Sequence, residues 1–182
     1  CEAHRDFADA LPNLGHQALA RWESQGRLRG VITQNIDELH QLAGSQQVWE
    51  LHGTARKAGC LDCHARFDVV PFVERFLATQ QTPECPACGG RLKHATISFG
   101  QPLHPVVLQE AFQASRQADL FLAIGPVRAK QAGGRLVIIN ATETPLDAIA
   151  DVVIRARIGE TLAAIDHETN DTAHRSNSGL GR

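Results

Sequence analysis

The chain has 182 residues and a formal net charge of −2, with 43% hydrophobic and 21% charged residues. Length and composition are those of a globular protein of one domain, or of one domain with a small insertion. The near-neutral charge argues against a partner bound through a basic surface, and no apolar run is long enough to span a membrane. We therefore expect neither nucleic acid nor a membrane as a direct partner.

The first third of the chain predicts a helix followed by short strands. Apolar residues at helical spacing predict a helix over about residues 12–25, with Gly26 as its stop signal. A strand is predicted at 31–32, and Asp37 can cap a short helix that runs to residue 43. A second strand over 48–51 ends just before His52.

The last part of the chain predicts strands that alternate with helices. The predicted strands are 95–99, 119–124, 135–140 and 151–154, and the predicted helices are 106–117 and 160–166. Apolar strands that alternate with helices indicate an α/β fold with a mostly parallel sheet. The polar residues 167–182 predict a disordered tail.

Two cysteine pairs interrupt this pattern between residues 56 and 93. Two residues separate Cys60 from Cys63 and Cys85 from Cys88, and 21 residues separate the pairs. Four thiolates at this spacing can converge on one tetrahedral Zn²⁺, and so small a segment needs a metal to stay folded. Two disulfides or unrelated buried thiols are the alternative. No leader sequence indicates secretion, so we expect a reducing compartment, the cytoplasm.

The connection between two predicted strands is short. Only nine residues, 126–134, join the strands at 119–124 and 135–140. A parallel crossover needs roughly a dozen residues or more. Either these strands are not neighbours, or residues are missing after Gly125. The chain also contains no methionine, so we expect the true N terminus to lie before residue 1.

A series of motifs over about residues 10–165 resembles the sirtuins, the NAD-dependent protein deacylases. The motifs are Pro12-Asn13-x-Gly15-His16, Thr33-Gln34-Asn35-Ile36-Asp37-x-Leu39-His40-x-x-Ala43-Gly44, Glu50-Leu51-His52-Gly53, the two cysteine pairs, Ser98-Phe99-Gly100-Gln101-Pro102-Leu103 and Val137-Ile138-Ile139-Asn140. They occur in the order that the family shows. The resemblance implies a Rossmann-like NAD-binding domain at 1–55 and 94–166, with an inserted zinc-binding module at 56–93.

The resemblance also implies the catalytic residues. His52 is expected to be the general base, since a neutral imidazole can take a proton from a ribose hydroxyl. Asn35 is expected to position the nicotinamide ribose and a water, and Asp37 to hold the nicotinamide carboxamide. Gln34 and Ile36 are expected to contact the cofactor. Without the resemblance, His52 fits a histidine at a strand end, and the loop fits a turn capped by aspartate.

Two further segments carry implied binding residues. The residues expected to pair with the substrate backbone and grip the acyl-lysine are Ile97, Phe99, Gly100 and Gln101. The residues expected to contact the adenosine side of NAD are Gly125, Asn140, Ala141, Thr142 and Ile158. Strand addition supplies main-chain hydrogen bonds, and the carboxyl ends of parallel strands bind nucleotides. Core strand and loop are the alternatives for these positions. Gln101 stands where the family more often has Glu.

The implied function is an NAD-dependent protein lysine deacylase that transfers the acyl group to ADP-ribose and releases nicotinamide. NAD is then a co-substrate, one Zn²⁺ is structural, and the partner is an acyl-lysine protein or peptide. The family's glycine-rich turn is expected before residue 1, and its Gly-Thr-Ser loop after Gly125. A non-catalytic NAD or ADP-ribose binding module, a sirtuin-like ADP-ribosyltransferase and a zinc-ribbon nucleic-acid binder remain as alternatives.

Overall fold

The computed structural model describes residues 8–125 and 135–177. The helices are α1 (Leu14–Ser24), α2 (Leu39–Leu42), α3 (Val70–Thr79), α4 (Pro105–Arg116) and α5 (Ile158–Asn177), with a 3₁₀ turn at Asp147–Ile149. The strands are β1 (Val31–Thr33), β2 (Val48–Glu50), β3 (Gly53–Cys60), β4 (Arg66–Asp68), β5 (Leu92–Thr96), β6 (Leu120–Ile124), β7 (Arg135–Ile139) and β8 (Val152–Ile154).

The described residues fall into two compact units. The first unit holds residues 8–11, 32–39 and 48–109, and the second holds 12–31, 40–47, 110–125 and 135–177. These divisions follow spatial contact and differ from the predicted domain boundaries, which remain a prediction. In the described part of the chain, no helix combines the length and the apolar character needed to cross a membrane.

The first unit contains an antiparallel sheet in the order β4-β3-β5. Strand β3 pairs Lys57 with Asp68 on one side and Cys60 with Leu92 on the other. Strands β3 and β4 were not predicted, because residues 53–60 lack regular apolar alternation. The β3–β5 register itself shifts between Gly53 and Ala58. Helix α3 lies between the two cysteine pairs.

The second unit contains a parallel sheet in the order β6-β7-β8. Leu120 lies opposite Arg135, and Val137 lies opposite Val152. The predicted parallel α/β class is therefore confirmed. Strands β6 and β7 are direct neighbours, so the alternative that they are separated is wrong. Their connection, 126–134, and the loop expected after Gly125 lie outside the described residues.

Helices α1 and α5 bury their apolar faces in the core of the second unit. Leu19, Trp22, Ile139 and Leu162 form this core, and each is at least nine-tenths buried. Helix α1 starts at the side chain of Asn13, whose Oδ1 accepts the Gly15 and His16 backbone N–H groups at 2.9 and 3.2 Å. Sequence periodicity thus placed α1 correctly.

One buried carboxylate ties α1 to α5. Asp166 is 6% exposed and accepts Trp22 Nε1–H at 2.8 Å and Arg21 Nε–H at 2.9 Å. Burial by itself raises the pKa of Asp166, but the Arg21 and Trp22 hydrogen bonds and the Arg21 charge outweigh it, so the pKa lies below its usual value. The prediction of a disordered tail is wrong for residues 167–177, which continue α5. Residues 178–182 lie outside the described residues.

We expect Asp166→Asn to lower the free energy of unfolding by about 2 kcal/mol, because the charged hydrogen bonds from Arg21 and Trp22 are lost or weakened. A carboxylate with a lowered pKa stabilises the fold above its unfolded-state value near 3.8. That contribution is lost as pH falls through the folded-state pKa. Urea unfolding at pH 7 and at decreasing pH measures both effects, and the difference between wild type and variant should shrink in acid.

Asp68→Asn is the matched control. Asp68 is 59% exposed at its side chain and pairs with Lys57 at 3.4 Å, so its loss should change stability by less than about 0.5 kcal/mol. Equal effects of the two substitutions would contradict the anchoring role of Asp166.

Candidate active site and metal centre

The four paired cysteines form one cluster in the first unit. Their Sγ atoms all lie within 4.8 Å of one another. Cys60 and Cys85 are buried, while Cys63 and Cys88 are exposed. Because four sulfur atoms at this separation can surround a tetrahedral ion, the residues fit one Zn²⁺ with no open position for a water. The alternative of two disulfides or unrelated thiols is wrong, since the thiols are free and share one cluster.

The pKa values of the Cys60 and Cys88 thiols are shifted in opposite directions by their neighbours. The backbone N–H groups of Cys63 and Asp62 donate to Cys60 Sγ at 3.5 and 3.4 Å and lower the pKa of Cys60 to about 7. The Gly90 N–H lowers the pKa of Cys88, but the neighbouring thiols of Cys63 and Cys60 outweigh it and raise that pKa to about 12. The Cys60 thiol therefore loses its proton more readily than the Cys88 thiol. A bound metal cation would offset the repulsion between the thiolates.

The loop between β1 and α2 lies against the start of β3. The predicted base, His52, has Nδ1 3.0 Å from the Gln34 carbonyl oxygen. A carbonyl oxygen only accepts, so Nδ1 carries the hydrogen and Nε2 of the neutral ring holds the lone pair. The side chains of Gln34 and Asn35 are exposed, and the Asn35 N–H donates to Thr33 Oγ1 at 3.0 Å. His52 thus has one nitrogen fixed and one available as a proton acceptor.

Asp37 serves the loop in two ways. Its Oδ1 accepts the Leu39 N–H at 3.0 Å, which starts α2. Its carbonyl oxygen accepts Arg56 Nε–H at 2.6 Å. The predicted aspartate cap is therefore present, and the half-buried carboxylate lies on the same loop as Asn35.

Gly53 allows the closest backbone approach beside His52. Its φ is +69°, and a Cβ added there would lie 2.2 Å from the Ala95 carbonyl oxygen. The His52 carbonyl oxygen accepts the Ile97 N–H at 2.8 Å, so this approach also joins His52 to the segment after β5. Only glycine fits the position.

We expect Gly53→Ala to destabilise the first unit by about 3 kcal/mol or more, because the methyl group collides with backbone that cannot move away. Chemical unfolding followed by circular dichroism measures the loss. Gly89→Ala is the matched control, since Gly89 has φ +75° but no atom within 4 Å of the added Cβ. A loss at Gly53 no larger than at Gly89 would show that φ alone, and not the close approach, sets the effect.

The predicted substrate segment forms a tight turn after β5. The Gln101 N–H donates to the Ser98 carbonyl oxygen at 3.0 Å, and Gln101 Oε1 accepts the Ser98 N–H at 2.9 Å. Phe99 is fully exposed, and Gly100 has φ +82°. The Gln101 side chain therefore stabilises the turn by accepting the Ser98 N–H, and a glutamate carboxylate could accept the same hydrogen bond.

The predicted adenosine residues lie in the second unit. Gly125 directly follows β6 and donates its N–H to the Ile139 carbonyl oxygen at 3.3 Å. Asn140 follows β7, and its Nδ2 donates to the Thr142 carbonyl oxygen at 2.9 Å across the exposed Ala141. Ile158, the first residue of α5, packs against the core. Gly125 and Asn140 thus stand at the carboxyl ends of adjacent parallel strands, while Ile158 can offer a ligand only its backbone.

Three residues that join the loop to β3 were not predicted from the sequence: Glu38 on the loop, and Thr54 and Arg56 on β3. Thr54 Oγ1–H donates to Glu38 Oε1 at 2.6 Å. Glu38 occupies the unspecified position of the motif Asn35-Ile36-Asp37-x-Leu39, so the motif did not indicate this contact. Since β3 itself was not predicted, its side chains could not be assigned partners.

Comparisons with known proteins agree with this geometry. The model of the Sir2 family matches residues 2–129. The NAD-dependent protein deacetylase of Sulfurisphaera tokodaii is 42% identical, over 94% of this chain and 72% of that protein. NAD-dependent protein deacylase 2 of Archaeoglobus fulgidus is 41% identical, over 90% of this chain and 69% of that protein.

Solved structures give the same result. A structure of Sir2 bound to acetylated peptide superposes with a TM-score of 0.84 and 32% identity, over 93% of this chain and 77% of that one. A structure of Sir2Tm bound to a propionylated peptide superposes with a TM-score of 0.82 and 33% identity, over 91% and 74%. Fold and cysteine cluster together define a Sir2-like α/β protein with a four-cysteine metal module. The chain belongs to the Sir2 family.

Proposed function

We infer that this chain is an NAD-dependent protein deacetylase/deacylase, which uses NAD as co-substrate and an acylated peptide or protein as its partner. Family membership supports the activity. The single observation of the molecule that carries it is the His52 Nδ1 contact with the Gln34 carbonyl oxygen. This contact places an imidazole, with Nε2 as its proton acceptor, beside the loop that holds Asn35 and Asp37.

We propose the following roles for the nicotinamide end of the site. The acyl oxygen of the substrate lysine attacks the anomeric carbon of the nicotinamide ribose, and nicotinamide leaves. His52 Nε2 takes a proton from a ribose hydroxyl, whose oxygen then attacks the acyl carbon. The bond from the acyl carbon to the lysine nitrogen breaks, the amine leaves with a proton, and water opens the cyclic intermediate to give O-acetyl-ADP-ribose. Asn35 orients the ribose and a water, Asp37 holds the carboxamide, and Gln34 and Ile36 line the cofactor.

Binding of the other groups is proposed for two further segments. The edge formed by Ile97, Phe99, Gly100 and Gln101 takes the substrate backbone by strand addition. The adenosine side of NAD is taken by Gly125, Asn140, Ala141, Thr142 and the backbone of Ile158, at the carboxyl edge of the parallel sheet. Because Gln101 is neutral, this edge carries one negative charge fewer than in family members that have Glu at this position.

Zinc has a structural part in this account. Cys60, Cys63, Cys85 and Cys88 would hold one ion and fix the module at 56–93. We propose residues 1–55 and 94–166 as the NAD-binding domain. Four protein thiolates leave no position for a reacting water, so every chemical step belongs to the loop and to His52. The free thiols support a reducing compartment, for which we propose the cytoplasm.

Release of nicotinamide tests the function. We expect release from NAD only when an acetyl-lysine peptide is also present, and none with the unmodified peptide. NAD binding without release would favour a non-catalytic binding module instead. Transfer of label from NAD to protein would favour an ADP-ribosyltransferase.

A further inference from the structure

Glu38 lies at a backbone position that side chains rarely adopt. Its φ is +54°, in the left-handed region, and it directly follows the proposed cofactor residues Asn35 to Asp37. A residue with a Cβ is unfavourable there, and such a conformation persists only where the surroundings hold it in place. The contacts of Glu38 therefore point to what fixes this loop.

The contact that holds Glu38 is short and sheltered. Thr54 Oγ1–H donates to Glu38 Oε1 at 2.6 Å, and Thr54 is only 2% exposed. The same Oγ1 accepts the Arg56 backbone N–H at 3.0 Å, which orients the hydroxyl toward the carboxylate. A hydroxyl hydrogen bond to a carboxylate is stronger than one between neutral groups.

The next two residues of β3 hold the two residues before Glu38. The Ala55 N–H donates to the Ile36 carbonyl oxygen at 2.9 Å, and Arg56 Nε–H donates to the Asp37 carbonyl oxygen at 2.6 Å. Three consecutive residues of β3 thus hold three consecutive residues of the loop. Two of these three contacts involve side chains: that of Thr54 with Glu38, and that of Arg56 with the Asp37 carbonyl oxygen.

We propose that Glu38, with Thr54 and Arg56, forms a brace that positions the Asn35–Asp37 loop for the nicotinamide end of NAD. Glu38 itself is a positioning residue and does not touch the reacting atoms. The proposal rests on the function inferred above for the loop. It adds that the left-handed backbone conformation of Glu38, held by these contacts, affects kcat/KM for NAD.

Variants at Glu38 separate its carboxylate from its backbone. Glu38→Ala removes the acceptor, Glu38→Gln keeps an oxygen for Thr54, and Glu38→Gly removes the acceptor while relieving the positive φ. We expect kcat/KM for NAD to fall about tenfold in the alanine and glycine variants, with the KM for acetyl peptide unchanged and the glutamine variant near wild type. A glycine variant as active as wild type would overturn the brace.

Thr54 supplies the reciprocal test. Thr54→Val should reproduce the loss, and Thr54→Ser, which keeps the hydroxyl, should restore most of the activity. Gln80→Ala is the matched control, because Gln80 also has a positive φ, of +58°, at the end of α3. It should leave kcat/KM for NAD unchanged. No rescue by serine, or an equal loss at Gln80, would overturn the proposal.

Amide hydrogen exchange of the free protein tests the brace without the reaction. The amides of residues 34–39 should exchange faster in Glu38→Ala and Thr54→Val, and at the wild-type rate in Glu38→Gln. Unchanged exchange in all variants would overturn the brace whether or not the protein turns over NAD. Faster exchange with unchanged turnover would overturn the positioning role, and an inactive wild type would overturn the proposed function instead.

Discussion

Replacing His52 with alanine is expected to reduce acetyl-peptide-dependent nicotinamide turnover by about a thousandfold, within the range for loss of a positioned general base. The physical reason is the orientation of the ring. The Gln34 carbonyl oxygen fixes Nδ1 as the donor, so Nε2 is the only ring position that can accept a proton. Steady-state kinetics with saturating NAD and acetyl peptide measures the effect.

His94→Ala is the matched control for this variant. His94 also has Nδ1 beside a backbone carbonyl oxygen, that of Ala55, at 2.8 Å, but it lies within β5 and has no proposed chemical role. Its loss should leave turnover within about threefold of wild type, as for a substitution away from a functional site. Unchanged turnover in His52→Ala would contradict the assignment of the base.

Removal of the metal is expected to unfold the region around the cysteine cluster. The protein should contain one zinc per chain, and a strong chelator or Cys85→Ser should remove it. Because Cys85 is 3% exposed and its Sγ lies 3.7 Å from that of Cys63, the remaining sulfur atoms cannot close a tetrahedral site. The melting temperature should fall by roughly 10 °C or more. Elemental analysis and thermal melts measure both effects.

His64→Ala is the control for the metal site. His64 is exposed and follows Cys63 in sequence, yet it does not belong to the described cluster of possible ligands. Zinc content and melting temperature should stay at wild-type values. Full zinc content in Cys85→Ser, or none in wild type, would contradict a four-cysteine structural site.

The strongest local patterns in the sequence predicted their structures well. The helical spacing around Leu19 and Trp22 predicted α1, because it reports one buried face of a helix. The continuous apolar runs predicted β6, β7 and β8, because they are typical of strands in a parallel sheet. The spacing of the cysteine pairs predicted the cluster that Cys60 and Cys85 help to form. In these cases neighbours in the chain carry most of the information.

Features that depend on distant partners could not be predicted in this way. Strand β3 has no alternating pattern in its sequence, and it pairs with β4 and β5, which follow it in the chain. Helix α5 extends into a polar stretch, and Asp166 within this helix contacts Arg21 and Trp22, which lie about 145 positions earlier in the chain. The contact between Glu38 and Thr54 needed both a loop and a strand to be placed first.

The central claim is that one acyl group moves from lysine to ADP-ribose for each NAD consumed. Its most direct test is mass spectrometry of the products formed from NAD and an acetyl-lysine peptide. The account predicts nicotinamide, deacetylated peptide and O-acetyl-ADP-ribose in equal amounts. Deacetylated peptide without nicotinamide, or nicotinamide with free ADP-ribose and an intact acetyl peptide, would contradict it.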